Sequence, residues 1–151
     1  MTSDRSQLAA ARSGFKNPQN HKILDYVLSK EPLAPASIGG DQRLSDAMRW
    51  VIYALFTAEE LNINSQNIQE KLTLAKSNPN MTSLRRFLGI DGGLGQKIGL
   101  SNDFVVNIIK STGNYKEIYN RHLGPDSSVP IPRGRNNSYI EGGLLIAPPI
   151  K

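Results

Sequence analysis

The densest apolar stretch lies between positions 44 and 61, where Met48, Trp50, Val51, Ile52, Tyr53, Leu55 and Phe56 fall on nearly every side of a helix. Neither glycine nor proline interrupts it. A helix with one apolar stripe lies on a surface, whereas one that is apolar all round has to be surrounded. The stretch therefore predicts a buried central helix over 44–61, with Asp41 as a candidate N-cap. Downstream, Ser65, Gln66 and Asn67 cap a second predicted helix that runs to about Lys76 and is ended by Asn78-Pro79-Asn80. A third, over 82–88, places Leu84, Phe87 and Leu88 on one face. After a glycine-rich turn over 89–99, a helix starting at Ser101 or Asn102 points Phe104, Val105, Ile108 and Ile109 inward. Gly113-Asn114 breaks it. Tyr115, Ile118, Tyr119 and Leu123 then form a last apolar stripe.

Upstream the pattern changes. Residues 6–12 are rich in alanine and form a short helix after Asp4 or Ser6 as N-cap, ended by Ser13-Gly14. Asn17-Pro18-Gln19-Asn20 turns the chain. Branched and aromatic residues over 23–28 predict a strand, and 33–38 a second one interrupted by Pro35. At the far end Pro125, Pro130, Pro132, Pro148 and Pro149 are interspersed with Leu144-Leu145-Ile146. So much apolar character predicts an extended tail packed onto the helices rather than a free linker. No internal repeat is visible, and the elements sum to an α+β chain, mostly helical, with a small sheet.

Composition narrows the function classes. With 151 residues the chain forms one core and buries about two-thirds of its unfolded surface. Eighteen Lys and Arg against thirteen Asp and Glu give a formal charge of +5, which attracts an acidic partner only if the cations share a face. They do not cluster: Arg85-Arg86 and Arg133-Gly134-Arg135 are too short for a nucleic-acid arm and lack interleaved aromatics. Solvated faces are expected there, and no nucleic-acid partner. The absence of cysteine excludes disulfides, thiolate metal sites and thiol catalysis. No apolar run is long enough to span a bilayer, and residues 1–5 lack the basic and apolar regions of a secretory signal. The chain as written is expected to carry no export address and to stay in the cytoplasm.

Candidate chemistry is sparse. Gly92, Gly93, Gly95 and Gly99 invite a phosphate-loop reading, but the spacing matches neither the dinucleotide nor the Walker pattern and no strand precedes it, so a helix connection is expected. His21 and His122 stand far apart, without metal-ligand spacing or a Ser-Asp partnership. Glu59 and Glu60 point in different directions from one helix, and are expected to be solvated helix-end charges rather than an acid-base pair. Trp50, Tyr53 and Phe56 are expected to pack in the core rather than to form an aromatic ligand box. No nucleophile, base and orienting group can be assembled. The chain is therefore expected not to be an enzyme, and to hold neither metal nor cofactor.

Several ordered segments resemble the general L-amino-acid-binding proteins of bacterial ABC transporters, a class of periplasmic solute-binding proteins. They include Thr2-Ser3-Asp4-Arg5-Ser6, Leu28-Ser29-Lys30-Glu31-Pro32-Leu33, Arg49-Trp50, Ala58-Glu59-Glu60-Leu61 and Arg86-Phe87-Leu88-Gly89. Leu100-Ser101-Asn102-Asp103-Phe104, Gly113-Asn114-Tyr115, Gly142-Gly143-Leu144 and Ala147-Pro148-Pro149 complete the set. The resemblance covers nearly the whole chain, but only the C-terminal part of the family.

It implies a C-terminal fragment of a two-lobe periplasmic-binding-protein fold with an incomplete sheet. Residues 1–30 would be a remnant of the second lobe, 31–124 the return to the first lobe with its C-terminal helices, and 125–151 the tail. Asp4 matches the aspartate that pairs with the ligand's ammonium, although it could equally be an N-cap. The arginine that binds the ligand carboxylate would lie outside these residues. The expected function is the amino-acid-binding component of an ABC transporter, unable to bind ligand tightly alone. The implied partners are an amino acid and the transporter's membrane subunits, in the periplasm. The alternative is a structural or interaction protein derived from it that self-associates into a homo-oligomer.

Overall fold

A computed structural model describes residues 1–150, and within them the chain forms seven α-helices and no strand. The helices are α1 (Arg5–Ser13), α2 (Gln42–Glu60), α3 (Ile68–Ser77), α4 (Thr82–Phe87), α5 (Leu94–Lys97), α6 (Phe104–Thr112) and α7 (Tyr115–Leu123). The chain divides into two compact units. One comprises Met1–Pro35 and Tyr119–Arg133, the other Ala36–Ile118 and the tail from Gly134 onward.

The second unit carries the main core. α6 packs against α2 and α3, and α3 against α4. Phe104, Val105, Val106 and Ile109 of α6 are buried together with Ala54, Ala58, Ile63, Ile68, Ala75, Phe87, Leu88, Ile98 and Ile150. The central helix is therefore α6, not the 44–61 segment. Of α2 only Ala54, Ala58 and Glu59 are buried, while Trp50, Tyr53 and Phe56 are half-buried and Leu44 is exposed. Length is the reason. Nineteen residues extend about 28 Å, whereas the nine of α6 extend about 14 Å, so its partners cannot enclose α2 on all sides.

Local chemistry sets where these helices start and stop. The Asp41 carboxylate accepts from the Leu44 amide at 2.9 Å and starts α2 as predicted. Three stops share one device: the residue after the C-cap is left-handed, with φ 52° at Asn62, 74° at Gly89 and 78° at Gly99. In each, the next amide reaches back to a carbonyl of the last turn: Ile63 to Ala58 at 2.7 Å, Ile90 to Arg85 at 2.9 Å, Leu100 to Gly95 at 2.8 Å. That is the Schellman arrangement, which satisfies orphan carbonyls and turns an apolar side chain back toward the helix. Ile63 is fully buried, and Ile90 and Leu100 pack against the core. The glycine-rich segment thus connects α4 to α6, but it is not the plain turn expected, since the single turn of α5 (Leu94–Lys97) lies inside it. A Cβ at Gly95 would lie 2.1 Å from the Ser101 carbonyl oxygen, and one at Gly89 1.7 Å from that of Asn102.

In the first unit, α1 buries Ala9, and the segment after α7 folds back on that helix. Ile131 donates to the Leu123 carbonyl at 2.8 Å, the Tyr119 hydroxyl to the Ile131 carbonyl at 3.2 Å, and the Arg133 guanidinium lies 5.5 Å from the Tyr119 ring centroid. In the second unit the tail winds through two short 3-10 turns, Gly134–Asn136 and Tyr139–Glu141, with a single bridge between Ser138 and Leu145. Ile150 joins the core, but Leu144 and Ile146 remain exposed.

The predicted sheet is absent among the described residues. Residues 22–38 form neither helix nor strand, and no backbone hydrogen bond joins them to another segment. A helix closes its hydrogen bonds within itself, whereas a strand exists only beside a partner. Branched residues alone cannot supply one.

Candidate functional site

Asp4 stands at the N-cap of α1, with its carbonyl accepting from the Leu8 amide at 2.9 Å. Its carboxylate makes no cap hydrogen bond. The local polar contact at this end is instead between the Ser3 hydroxyl and the Gln7 side chain. Among the described residues no side chain pairs with the Asp4 carboxylate, which is half-buried. Its neighbour Arg5 is engaged by Asp25 at 2.9 Å in an exposed pair. A half-buried carboxylate that its own helix leaves unused can make charge-assisted hydrogen bonds to an ammonium group.

The first unit also contains a hollow of about 260 Å³, lined by Ala9, Arg12, Ser13, Pro18, Ser128, Val129 and Pro130. Arg12 offers a guanidinium, but Asp4 does not line the hollow. Eight residues separate Asp4 from Arg12 along α1, about 12 Å of helix axis, whereas an α-amino acid carries its ammonium and carboxylate on one carbon. Asp4 and Arg12 therefore do not make the two ends of one amino-acid site.

The other candidates have structural roles. His21 is exposed, its ring 4.5 Å from that of Phe15 and its Nδ1 3.1 Å from the Asn17 carbonyl. His122 is exposed on α7. No group of three or more potential metal ligands forms among the described residues. Trp50 meets Tyr53 edge-on at 5.7 Å and Phe56 meets Tyr115 edge-on at 4.9 Å, so the aromatics pack with one another.

Glu59 and Glu60 differ from the expectation of solvated charges. Glu59 is buried and Glu60 half-buried, with one carboxylate oxygen of Glu60 enclosed and unpaired. Burial raises the Glu60 carboxyl above its ordinary range, opposed by the backbone of Ala147 and reinforced by the charge of Glu59. Arg85, one of the scattered cations, clasps Asp91 through two hydrogen bonds of 2.7 and 3.0 Å and donates to the Ala75 carbonyl at 2.9 Å. Those bonds hold the Asp91 carboxyl below its usual value. Arg85 is therefore committed within the fold rather than offered to a polyanion.

One polar cluster escapes composition-based reading. The Asn114 side chain accepts from the Glu117 amide at 3.0 Å, and Glu117 accepts from the Asn114 amide at 2.8 Å. This reciprocal capping box starts α7. Glu117 also accepts from the Ser65 hydroxyl at 2.6 Å and the Ser65 amide at 3.1 Å, and the Asn114 side-chain amide donates to the Ile63 carbonyl at 2.8 Å. The start of α7 is thereby tied to the turn between α2 and α3. The Asn-x-x-Glu spacing was its sequence signal.

No protein-family profile matches the chain. It is 41% identical over all 151 residues to the amino-acid ABC transporter-binding protein YhdW of Escherichia coli strain K12, of which it covers 43%. It is 42% identical over 152 aligned positions to the general L-amino acid-binding periplasmic protein AapJ of Rhizobium johnstonii, covering 99% of this chain and 43% of the relative. The glutamate/glutamine/aspartate/asparagine-binding protein BztA of Rhodobacter capsulatus is 40% identical with the same shares covered. Among solved structures, an ABC transporter periplasmic binding protein from Brucella ovis with glutathione bound superposes with a TM-score of 0.88 at 38% identity. That match covers 99% of this chain and 46% of that one. The chain is thus similar along its whole length to amino-acid-binding proteins of ABC transporters, and spans less than half the length of the relatives it matches. These relatives are binding proteins of transporters, not enzymes. No helix among the described residues is long and apolar enough to cross a membrane.

Proposed function

We propose that the chain is the C-terminal part of an amino-acid-binding component of a periplasmic ABC uptake system. In this reading Asp4 holds the ligand's ammonium, and the 151 residues alone bind no amino acid tightly. The observation that carries the reading is the identity of about two residues in five along the entire chain to such proteins, of which it covers 43%. Asp4 adds a carboxylate that its own helix leaves unused. Arg5 beside it is engaged by Asp25, and the hollow that Arg12 lines does not include Asp4. An amino acid offered Asp4 alone keeps its carboxylate unpaired. One exposed ion pair contributes about 0–1 kcal/mol, against the roughly 8 kcal/mol of micromolar binding.

Titration calorimetry of the chain against the twenty amino acids tests this reading. No heat of tight binding is expected, and a dissociation constant in the low micromolar range would overturn the view of an incomplete site.

A second reading, self-association, is favoured by the irregular segment 22–38, which lacks backbone hydrogen-bond partners and leaves Leu24, Tyr26, Val27, Leu28, Leu33 and Ile38 facing water. Unpaired strand edges and exposed apolar patches invite contacts. The amino acid and the transporter's membrane subunits remain the partners implied for the complete binding protein.

A further inference from the structure

The last turn of α2 is built against its own charge. Glu59 and Glu60 both lie in it, and no basic side chain does. A helix C-terminus carries partial negative charge, so carboxylates are disfavoured where lysine or arginine would be stabilised. Glu59 is buried and Glu60 half-buried, with one oxygen of the Glu60 carboxyl enclosed and unpaired. About one turn earlier on the same side of the helix, the Thr57 hydroxyl is enclosed and unpaired as well. An ionised carboxylate taken out of water without a partner is costly, and the usual relief is to take up a proton.

The tail reaches this turn. The backbone N–H of Ala147 lies against the Glu60 carboxyl, and Ile150 enters the core to which Ala54 and Ala58 of α2 belong. Little else fixes the run 146–150. Upstream the tail is bonded to itself, the Leu144 amide to the Arg135 carbonyl at 2.8 Å and the Leu145 amide to that of Asn137 at 3.1 Å. Among the described residues no backbone hydrogen bond ties 146–150 to another segment, and Pro148 and Pro149 have no N–H to offer. Ile146, Pro148 and Pro149 are exposed. A run held by one buried side chain and one polar contact opens locally at far smaller cost than the core.

We propose that Glu60 is a proton-controlled latch for residues 146–150: a protonated carboxyl lets the run close over the end of α2, and an ionised one favours its opening. Burial raises the Glu60 carboxyl above its ordinary range; the Ala147 amide opposes this and the Glu59 charge reinforces it. When the run opens, Glu60 meets water and returns toward that range. The closed form therefore holds the proton more tightly than the open one. Closure is strongest below the ordinary carboxylate range and weakens as pH rises through the raised value. The other ionisable groups of the elements packed here are solvated or engaged. On the tail Arg135 is exposed and Glu141 binds Lys116 of α7 at 2.7 Å. Glu117 of α7 is held by Ser65 and Asn114, and Lys110 of α6 is exposed. The core responds in the opposite sense, because Arg85 holds the Asp91 carboxyl low and the Ser101 side chain holds that of Asp103 low. Their contribution is present at neutral pH and is lost as pH falls through those lowered values.

NMR on the 151-residue chain tests the latch. Protection of the Ala147 amide, corrected for the intrinsic pH dependence of exchange, is expected to fall at least about threefold between about pH 4.5 and about pH 7.5. Over the same range the Ile150 methyl groups are expected to become more accessible to a dissolved paramagnetic probe, while those of Ile109 in α6 stay shielded. The Glu60 carboxyl carbon is expected to titrate at the midpoint of these changes, above the ordinary glutamate range. Glu60→Gln keeps the shape of the side chain and cannot ionise, so it is expected to keep the low-pH protection at every pH. Glu59→Gln removes the like charge and is expected to move the fall to lower pH. Should Glu60→Gln not fold, the coincidence of the carboxyl and tail midpoints in the unaltered chain decides the matter. The latch is overturned if protection at Ala147 is flat or rises with pH, if Glu60→Gln retains the fall, or if Glu60 titrates in the ordinary range.

Discussion

At the scale of single residues, the most consequential side chain outside the core is Glu117. Its carboxylate accepts from the Asn114 amide and from both the amide and the hydroxyl of Ser65, so one residue caps α7 and anchors the turn before α3. Hydrogen bonds to a charged group contribute about 1.5–3 kcal/mol each, with losses that are not additive. Glu117→Ala is expected to destabilise the chain by about 2–4 kcal/mol in urea denaturation, and a loss below about 0.5 kcal/mol would show that the network contributes nothing net. Gly113 belongs to the same construction. Its φ of 81° is a left-handed value, and a Cβ there would lie 2.6 Å from a Glu117 carboxylate oxygen. The Asn-x-x-Glu spacing is a local signal that could have shown the cap, whereas Gly113-Asn114 reads in the sequence only as a helix break. The bond to Ser65 was not legible, since the two residues lie 52 positions apart. Asp4 is the opposite case: nothing local marks it as a ligand group, and it was singled out by resemblance.

At the scale of elements, helix existence was readable and helix environment was not. The expected segments 6–12, 44–61, 82–88 and that following Ser101 each meet an observed helix within a few residues, because caps, glycines and apolar spacing act over one or two turns. Which helix would be central depended on partners. α2 carries the most apolar residues, yet the shorter α6 sits among the others, and Trp50 ends half-buried against the core. A fully enclosed large side chain costs about 3–5 kcal/mol when cut to alanine. With one side of the indole open to water, Trp50→Ala is expected to cost about 1–3 kcal/mol, as the shift in the chemical denaturation midpoint will report. A cost above about 4 kcal/mol would place Trp50 in the interior after all. The 23–28 stretch shows the same limit in reverse, with strand composition and no strand.

At the scale of the whole molecule, the first unit buries little and the second holds the connected core. The exposed segment 22–38 gives the isolated chain a reason to associate, since pairing with its own copy satisfies at least one edge. Light scattering at micromolar concentration is expected to give twice the 16.6 kDa of one chain, and a clean monomer would show that water satisfies these backbones adequately. The amino-acid sequence by itself determined the longer helices to within a few residues, though not α5, together with the absence of thiol chemistry and the likeness to amino-acid-binding proteins. Each of these rests on composition or on contacts between residues close along the chain. Only the tertiary structure decided that α6 and not α2 is central, that Glu59 and Glu60 are drawn out of water, that Glu117 reaches Ser65, and that the predicted strands stand unpaired. Burial and strand pairing are properties of segments distant in sequence, and no local pattern states whether the partner is present.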